Sequence, residues 1–364
     1  MQPSARAAAW SAALAAALVV VTVVSAGVGP VAIDPLVIAK VLLNALRVPT
    51  GVQLYGASGS LLQLPAVAIQ WTPVFAFPVE QVHATIVMTV RLPRIALGAV
   101  VGFALAAAGT VMQGFFRNPM ADPSIIGVSS GAAVGAVLAI VAPVAIPLGL
   151  GLRGAAFVGA LLTAFAVYLI ATEGGRTPVA TLLLAGVAIQ TFLGAVVSFL
   201  LLHSGDSMRT VVYWLMGHLD GATWGEVGLT ALLVPLLVGT LYLYAEDLNV
   251  LLVGEEDARS LGIEVEHTKR VLLAVSSIVT AAAVAVSGVI GFVGLVVPHT
   301  LRLVVGPDHR VLLPASAFAG ASFLVLADTI ARSGVAELPV GIVTAAVGAP
   351  FFLYLLRKRE VHQL

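Results

Sequence analysis

Asp328 and Arg332 stand four residues apart in an otherwise apolar run, a spacing that puts both on one face of a helix and lets them pair. An ionisable residue inside a bilayer is costly and marks a pathway, a relay or an internal pair. For Asp328 the internal pair is the expected role. His299 follows Pro298 and reads as a satisfied packing histidine rather than a ligand. Ser129 and Ser130, in GVSSGA, lack the adjacent base and orienting acid that a serine nucleophile needs. Close helix packing by small residues accounts for them better. The histidines, at 83, 203, 218, 267, 299, 309 and 362, are scattered, and H-E-x-x-H does not occur. Cysteine is absent, which removes thiolate chemistry, disulfides and Cys-based metal sites. Lys40, Lys269 and Lys358 are the only lysines, and none lies in a G-x-x-x-x-G-K-[ST] phosphate loop. No catalytic residue, no cofactor and no metal site is expected. If ATP drives this chain, another polypeptide binds it.

The elements that must carry these residues are lipid-facing. Of the 364 residues 60% are hydrophobic and 10% charged, whereas soluble domains are about 45–50% apolar and about 25% charged. Eighteen basic residues balance 18 acidic ones, so no net field favours nucleic acid. A spanning helix needs about 20 apolar residues, and ten stretches qualify. They lie near 8–29, 92–116, 124–145, 154–172, 179–202, 227–245, 271–287, 289–305, 311–331 and 338–356. The pair 271–287 and 289–305 is separated only at Gly288 and Gly291; one long kinked helix is the competing reading. The first apolar run, Ala7 to Gly29, exceeds the about 7–15 residues of a signal-peptide core, which favours a retained span. Ten spans put both termini on one side. Most Lys and Arg residues then fall on that side, with Arg357, Lys358 and Arg359 the strongest group, so both termini are expected to be cytoplasmic.

The chain therefore divides into a first span at 1–29, an extracytoplasmic segment at 30–90, spans two to six over 91–245, a soluble segment at 246–270, spans seven to ten over 271–356 and a cytoplasmic tail at 357–364. Within 203–226 the aromatic residues Tyr213, Trp214 and Trp224 suit a membrane boundary, and an interfacial helix is expected. The stretch EDLNVLLVGEEDARSLGIEVEHTKR at 246–270 combines acidic residues with an apolar run. Helical spacing groups Leu252, Ala258, Leu261 and Ile263, with Glu255, Glu256 and Asp257 opposite. Such a segment suits docking in a groove of another protein. On the other face, RLPR at 91–94 and Arg332 put three guanidiniums on one rim. They would either capture carboxylates of a partner or anchor the helices at the headgroups.

Several motifs together resemble one family. They are RLPR (91–94), GTVMQGFFRNPMADPSIIGVSSGA (109–132), TLLLAGVAI (181–189), YWLMGHL (213–219), LNVLLVGEEDARSLGI (248–263), VSGVIGFVGLVVPHTLRLVVGPDHRVLLPASAFAGA (286–321) and LADTIARSGVAELPVGIVTAAVGAPFFLYLL (326–356). In this order they look like the permease subunits of ABC importers for vitamin B12, haem and iron(III)–siderophores. The likeness covers about 91–356; the outer stretch near 51–80 looks longer than is usual in the family. The resemblance implies an all-α polytopic membrane protein of the cell membrane with the type II ABC importer permease fold, working as a homodimer. Two cytoplasmic ATP-binding subunits would sit below and an extracytoplasmic substrate-binding protein above. It further implies that Gly254, Asp257, Ala258, Leu261 and Gly262 contact the ATP-binding subunits. Arg91, Arg94 and Arg332 would meet carboxylates of the binding protein. Leu184, Ala185, Ala188 and Gln190 would line the pathway, and Arg176, Thr177, Pro178 and Thr181 would form a gate loop before it.

The expected function is alternating-access import of a large metal chelate, leaning to cobalamin, with a siderophore or haem as alternatives. No ring of charge is present to select a small ion. A secondary transporter acting alone is the rival class; it would call for carboxylates at the bilayer midplane, which the sequence does not show.

Overall fold

The computed structural model describes residues 3–55, 66–142, 151–334 and 336–358. The elements in chain order are α1 (Pro3–Gly27), α2 (Pro35–Ala45), β1 (Arg47–Tyr55), β2 (Ala66–Pro73), α3 (Gln81–Thr85), a π-helical turn (Ile86–Arg91), α4 (Leu92–Phe115), α5 (Val128–Val141), α6 (Gly151–Ala171), α7 (Val179–Leu202), α8 (Met208–Leu215), α9 (Trp224–Leu243), α10 (Ala245–Val253), α11 (Glu255–Ser260), α12 (Val265–Ser287), α13 (Val293–Val305), α14 (His309–Ala331) and α15 (Val340–Lys358). All ten expected spans are helical. Among the described residues seven helices are long and apolar enough to cross a membrane, and α5, α13 and α15 are shorter apolar helices. The protein is an all-α polytopic membrane protein.

The doubtful pair resolves into two helices. Gly288 closes α12 at φ 69° and Phe292 precedes α13 at φ 68°. A Cβ at Gly288 would lie 2.3 Å from the Trp214 carbonyl oxygen, so both the backbone angle and the close approach demand glycine there. The second span, expected to begin at 92, runs unbroken from Gln81 to Phe115. Pro93 has no N–H to offer Thr89, and the preceding turn widens, with Leu92 N–H reaching back to the Val87 carbonyl. Such a π turn absorbs a missing bond without ending the helix. Residues 81–90 are therefore helical and continuous with the second span.

The rest of the 30–90 segment is α2 and a two-stranded antiparallel hairpin. It pairs Arg47 with Pro73 through Tyr55 with Ala66, with an irregularity between Pro49 and Gly51. Asp34 caps α2 by accepting from Leu36 N–H at 2.7 Å, and Pro35 starts the helix with φ already set. Residues 56–65 of the outer insertion and the tail beyond 358 lie outside the described residues.

α4 is the central helix. Ala104, Ala106, Ala107 and Ala108 are fully buried, and small residues let backbones approach where lipid offers no hydrophobic drive. Gly109 lies so close to α13 that a Cβ would sit 1.9 Å from the Gly294 carbonyl oxygen. That carbonyl has lost its helical donor to Pro298. The Gln113 side chain covers the site instead, donating to Leu295 O at 3.0 Å and Gly294 O at 3.4 Å. By contrast α7 has only Leu182, Ala185 and Gly186 buried. Leu184, Val187, Phe192, Phe199 and Leu202 form a long apolar surface that the chain's own helices leave uncovered.

Candidate coupling surface and transport pathway

The segment 246–270 is not one amphipathic helix. It is two short helices, α10 and α11, broken at Gly254, and its last residues already belong to α12. α11 ends in paired backbone bonds, Gly262 N–H to Arg259 O at 3.0 Å and Ile263 N–H to Ala258 O at 3.0 Å. This is a Schellman closure, with Leu261 as the C-cap residue. Leu261 is 71% exposed, whereas Ala258 is fully buried, so the two are not grouped. Asp257 and Gly262 are also exposed, and Gly254 is half-buried. Ala258 is fully buried and packs into the body of the protein, so it is unavailable to a partner subunit. Glu255 is half-buried and reaches Lys269 at 3.2 Å.

Both halves of the segment are tied to spanning helices. Asn249 on α10 donates to Asp308 Oδ1 at 2.8 Å, while its Oδ1 accepts from His309 N–H at 2.9 Å. The His309 ring Nδ1 is 2.7 Å from the same oxygen and must be the donor, since an amide oxygen only accepts. Asp308 caps α14 through Arg310 N–H at 3.0 Å. Hydrogen bonds from the Arg310 side chain, then from Asn249, hold its carboxyl down at about 2. Because this value lies below the ordinary carboxylate range near 3.9, the stabilisation from the ionised Asp308, through Arg310 first and Asn249 second, is fully present above about pH 4. It is lost as pH falls through about 2. Asp308→Asn is thus expected to lower the melting temperature in detergent at neutral pH, with the gap from wild type closing between about pH 4 and 2. A gap independent of pH would contradict the assignment.

The candidate gate loop joins α6 to α7. Arg176, Pro178 and Thr181 are exposed, and Pro178 sits immediately before α7. Thr177 is buried, its hydroxyl 2.9 Å from that of Thr172. On α7 itself Leu184 and Ala188 occupy the exposed face, as residues four apart should. Ala185 and Gln190 do not share it. Ala185 is one step, about 100°, around the helix and is buried against its own chain. Gln190 is half-buried, with its side-chain amide donating to Ile125 O at 2.6 Å. Two of the four pathway candidates therefore face inward.

The rim arginines are placed together, but as internal struts. Arg91, Arg94 and Arg332 are only 4–8% exposed. Arg91 donates to the Ala26 carbonyl at 2.6 Å and to that of Val31. Arg94 pairs with Asp328 at 2.9 Å and with Glu337 at 2.6 Å. Arg332 pairs with Asp328 at 3.3 Å and donates to Ser25 Oγ at 2.6 Å and Val28 O at 2.7 Å. Arg91 and Arg94 lie within the helix that starts at Gln81, not at its top, and this buries them. In this conformation none offers its guanidinium to a binding protein.

Three features were not anticipated. The Asn249–Asp308–His309 tether joins residues 60 apart in sequence, with only the Asp308 capping position as a local signal. Lys269 is buried, only 4% exposed, though nothing in its sequence context distinguishes it from a surface lysine. Among the described residues, buried His299 Nδ1 and the guanidinium nitrogens of Arg302 have no hydrogen-bond partner.

The family model described as the FecCD transport family matches residues 17–358. The chain belongs to the FecCD transport family. Along its whole length, and the whole of the relative, this FecCD chain is 56% identical over 369 residues to the cobalamin import system permease protein BtuC of Halobacterium salinarum. It is 47% identical over 281 residues to the hemin transport system permease protein HmuU of Yersinia pestis, covering 75% of this chain and 84% of that one. A solved metal-chelate type ABC transporter in an inward-facing conformation superposes with a TM-score of 0.78 at 30% identity, over 96% of this chain and 98% of the other. The expected family and fold are met. The FecCD chain is a multi-pass permease subunit of an ABC importer in the cell membrane.

Proposed function

We propose that this FecCD permease imports cobalamin as a homodimer, with both termini cytoplasmic. Two ATP-binding subunits dock beneath it and hydrolyse the ATP, and an extracytoplasmic binding protein delivers the cargo from above. The observation that carries the cargo reading is the 56% identity, end to end, with a permease named for cobalamin import. The haem reading rests on 47% identity over a shorter stretch.

The geometry supports the division of labour. Leu261 and Asp257 project from the 250–263 segment as an apolar knob beside an acid, which suits a groove in an ATP-binding subunit. Asn249 and Glu255 link that segment to α14 and α12. The uncovered apolar face of α7 would meet a second copy around the pathway, where a large, weakly polar chelate is held by shape rather than by a charge ring. Lipid covers the remaining apolar exterior. For the rim arginines to reach a binding protein, they would have to exchange Asp328 and the α1 carbonyls for its carboxylates.

The cargo is tested with the assembled importer and its binding protein in proteoliposomes, supplied in turn with labelled cyanocobalamin, haem and a ferric siderophore. ATP-dependent accumulation of cyanocobalamin alone is the expected result; preferential uptake of either iron compound overturns the cobalamin reading.

A further inference from the structure

We propose that Lys269 is the strut through which the 250–263 segment moves the loop ahead of α7. This rests on the coupling and gate readings above. An ammonium group has three donors, and those of Lys269 have three oxygens on three separate pieces of chain. They are Thr177 O at 2.7 Å in the gate loop, Glu255 Oε1 at 3.2 Å on α11 and Glu266 Oε1 at 3.4 Å on α12. The Thr177 peptide is gripped from its other side as well, because its N–H donates to Glu266 Oε2 at 3.2 Å. Arg259 covers the cluster from solvent, 3.3 Å from Glu255 and 3.8 Å from Glu266.

Burial makes the connection stiff. With Lys269 enclosed, its bonds are screened far less than those of a surface pair, and separating the ammonium from either carboxylate would leave charge poorly solvated. A displacement of α11 is therefore followed by Glu255, Lys269 and Thr177 in turn. Thr177 is two residues ahead of Val179, the first residue of α7, so a shift of the Thr177 backbone is passed directly to the start of that helix. A crevice of about 240 Å³ beside Glu255 and Lys269, walled by Phe116, Val179 and Leu251, leaves room for this movement. α10, tethered instead to α14 through Asn249, would act as the fixed side of the lever, with Gly254 between the two.

The chain has no cysteine, so one introduced thiol is the only one on the permease, and its labelling is read on the permease band. Ala180, exposed on the first turn of α7, is replaced by cysteine in the permease assembled with its ATP-binding subunits in proteoliposomes. Maleimide labelling is timed with and without a non-hydrolysable ATP analogue. Coupling of ordinary strength predicts a nucleotide-dependent rate change of about fivefold or more. Lys269→Met should reduce this response to less than about twofold, and Lys269→Arg, which keeps a charged donor, should restore part of it. Glu255→Gln, which detaches α11 without emptying the buried position, should also blunt the response while the ATP-binding subunits still co-purify. That second variant decides the matter if Lys269→Met does not assemble. A full nucleotide response in either assembled variant overturns the strut. If Ala180→Cys in the otherwise unaltered complex gives no nucleotide response, the gate reading itself fails, and the strut with it.

Discussion

Asp328→Leu is expected to destabilise the permease by about 3–5 kcal/mol, the usual cost of removing one partner from a buried ion pair. Asp328 is 1% exposed and lies between Arg94 and Arg332. Without it, two guanidiniums are left close together in an enclosed site; Arg94 keeps only Glu337 and Arg332 only Ser25 and Val28. The effect should appear as a lowered melting temperature in detergent. The triple change Arg94→Met, Asp328→Leu, Arg332→Met should recover much of the loss, because removing every charge avoids the uncompensated state. If Asp328→Leu melts with wild type, the outer arginines are not internal struts and are available to a binding protein, as the family resemblance implied.

Leu261→Asp carries the second large effect. The side chain is 71% exposed, at the C-cap of α11, and has little to lose within its own fold. As an interface anchor its loss should cost at least about 2 kcal/mol of association with the ATP-binding subunit, roughly thirtyfold in affinity. Uptake should fall in parallel while the purified permease melts normally. Charge reversal at Asp257, exposed on α11, should act in the same direction. Unchanged affinity together with unchanged uptake would remove the docking role.

The spans were legible because each is a run of apolar residues, and hydropathy depends little on context. Their ends were less so. The 81–115 helix continues through RLPR because a π turn accommodates Pro93, and no composition rule distinguishes that from a helix start. The Asp328–Arg332 pair followed from a spacing of four, but Arg94 joins it from 234 residues away. Facing within a helix was legible only where the helix continued. Leu184 and Ala188 share a face as spacing requires, whereas grouping Leu261 with Ala258 failed because α11 stops at Ser260. The Lys269 cluster draws on three separated stretches, and tertiary packing alone brings them together.

On the proposed function, this permease moves cargo only when driven by ATP-binding subunits it does not contain. Purified permease alone, reconstituted in proteoliposomes with ATP and labelled cyanocobalamin, is the most direct test. The expected result is no nucleotide hydrolysis and no accumulation above equilibrium, with both appearing once the ATP-binding subunits and binding protein are added. Uphill uptake by the isolated chain would contradict it.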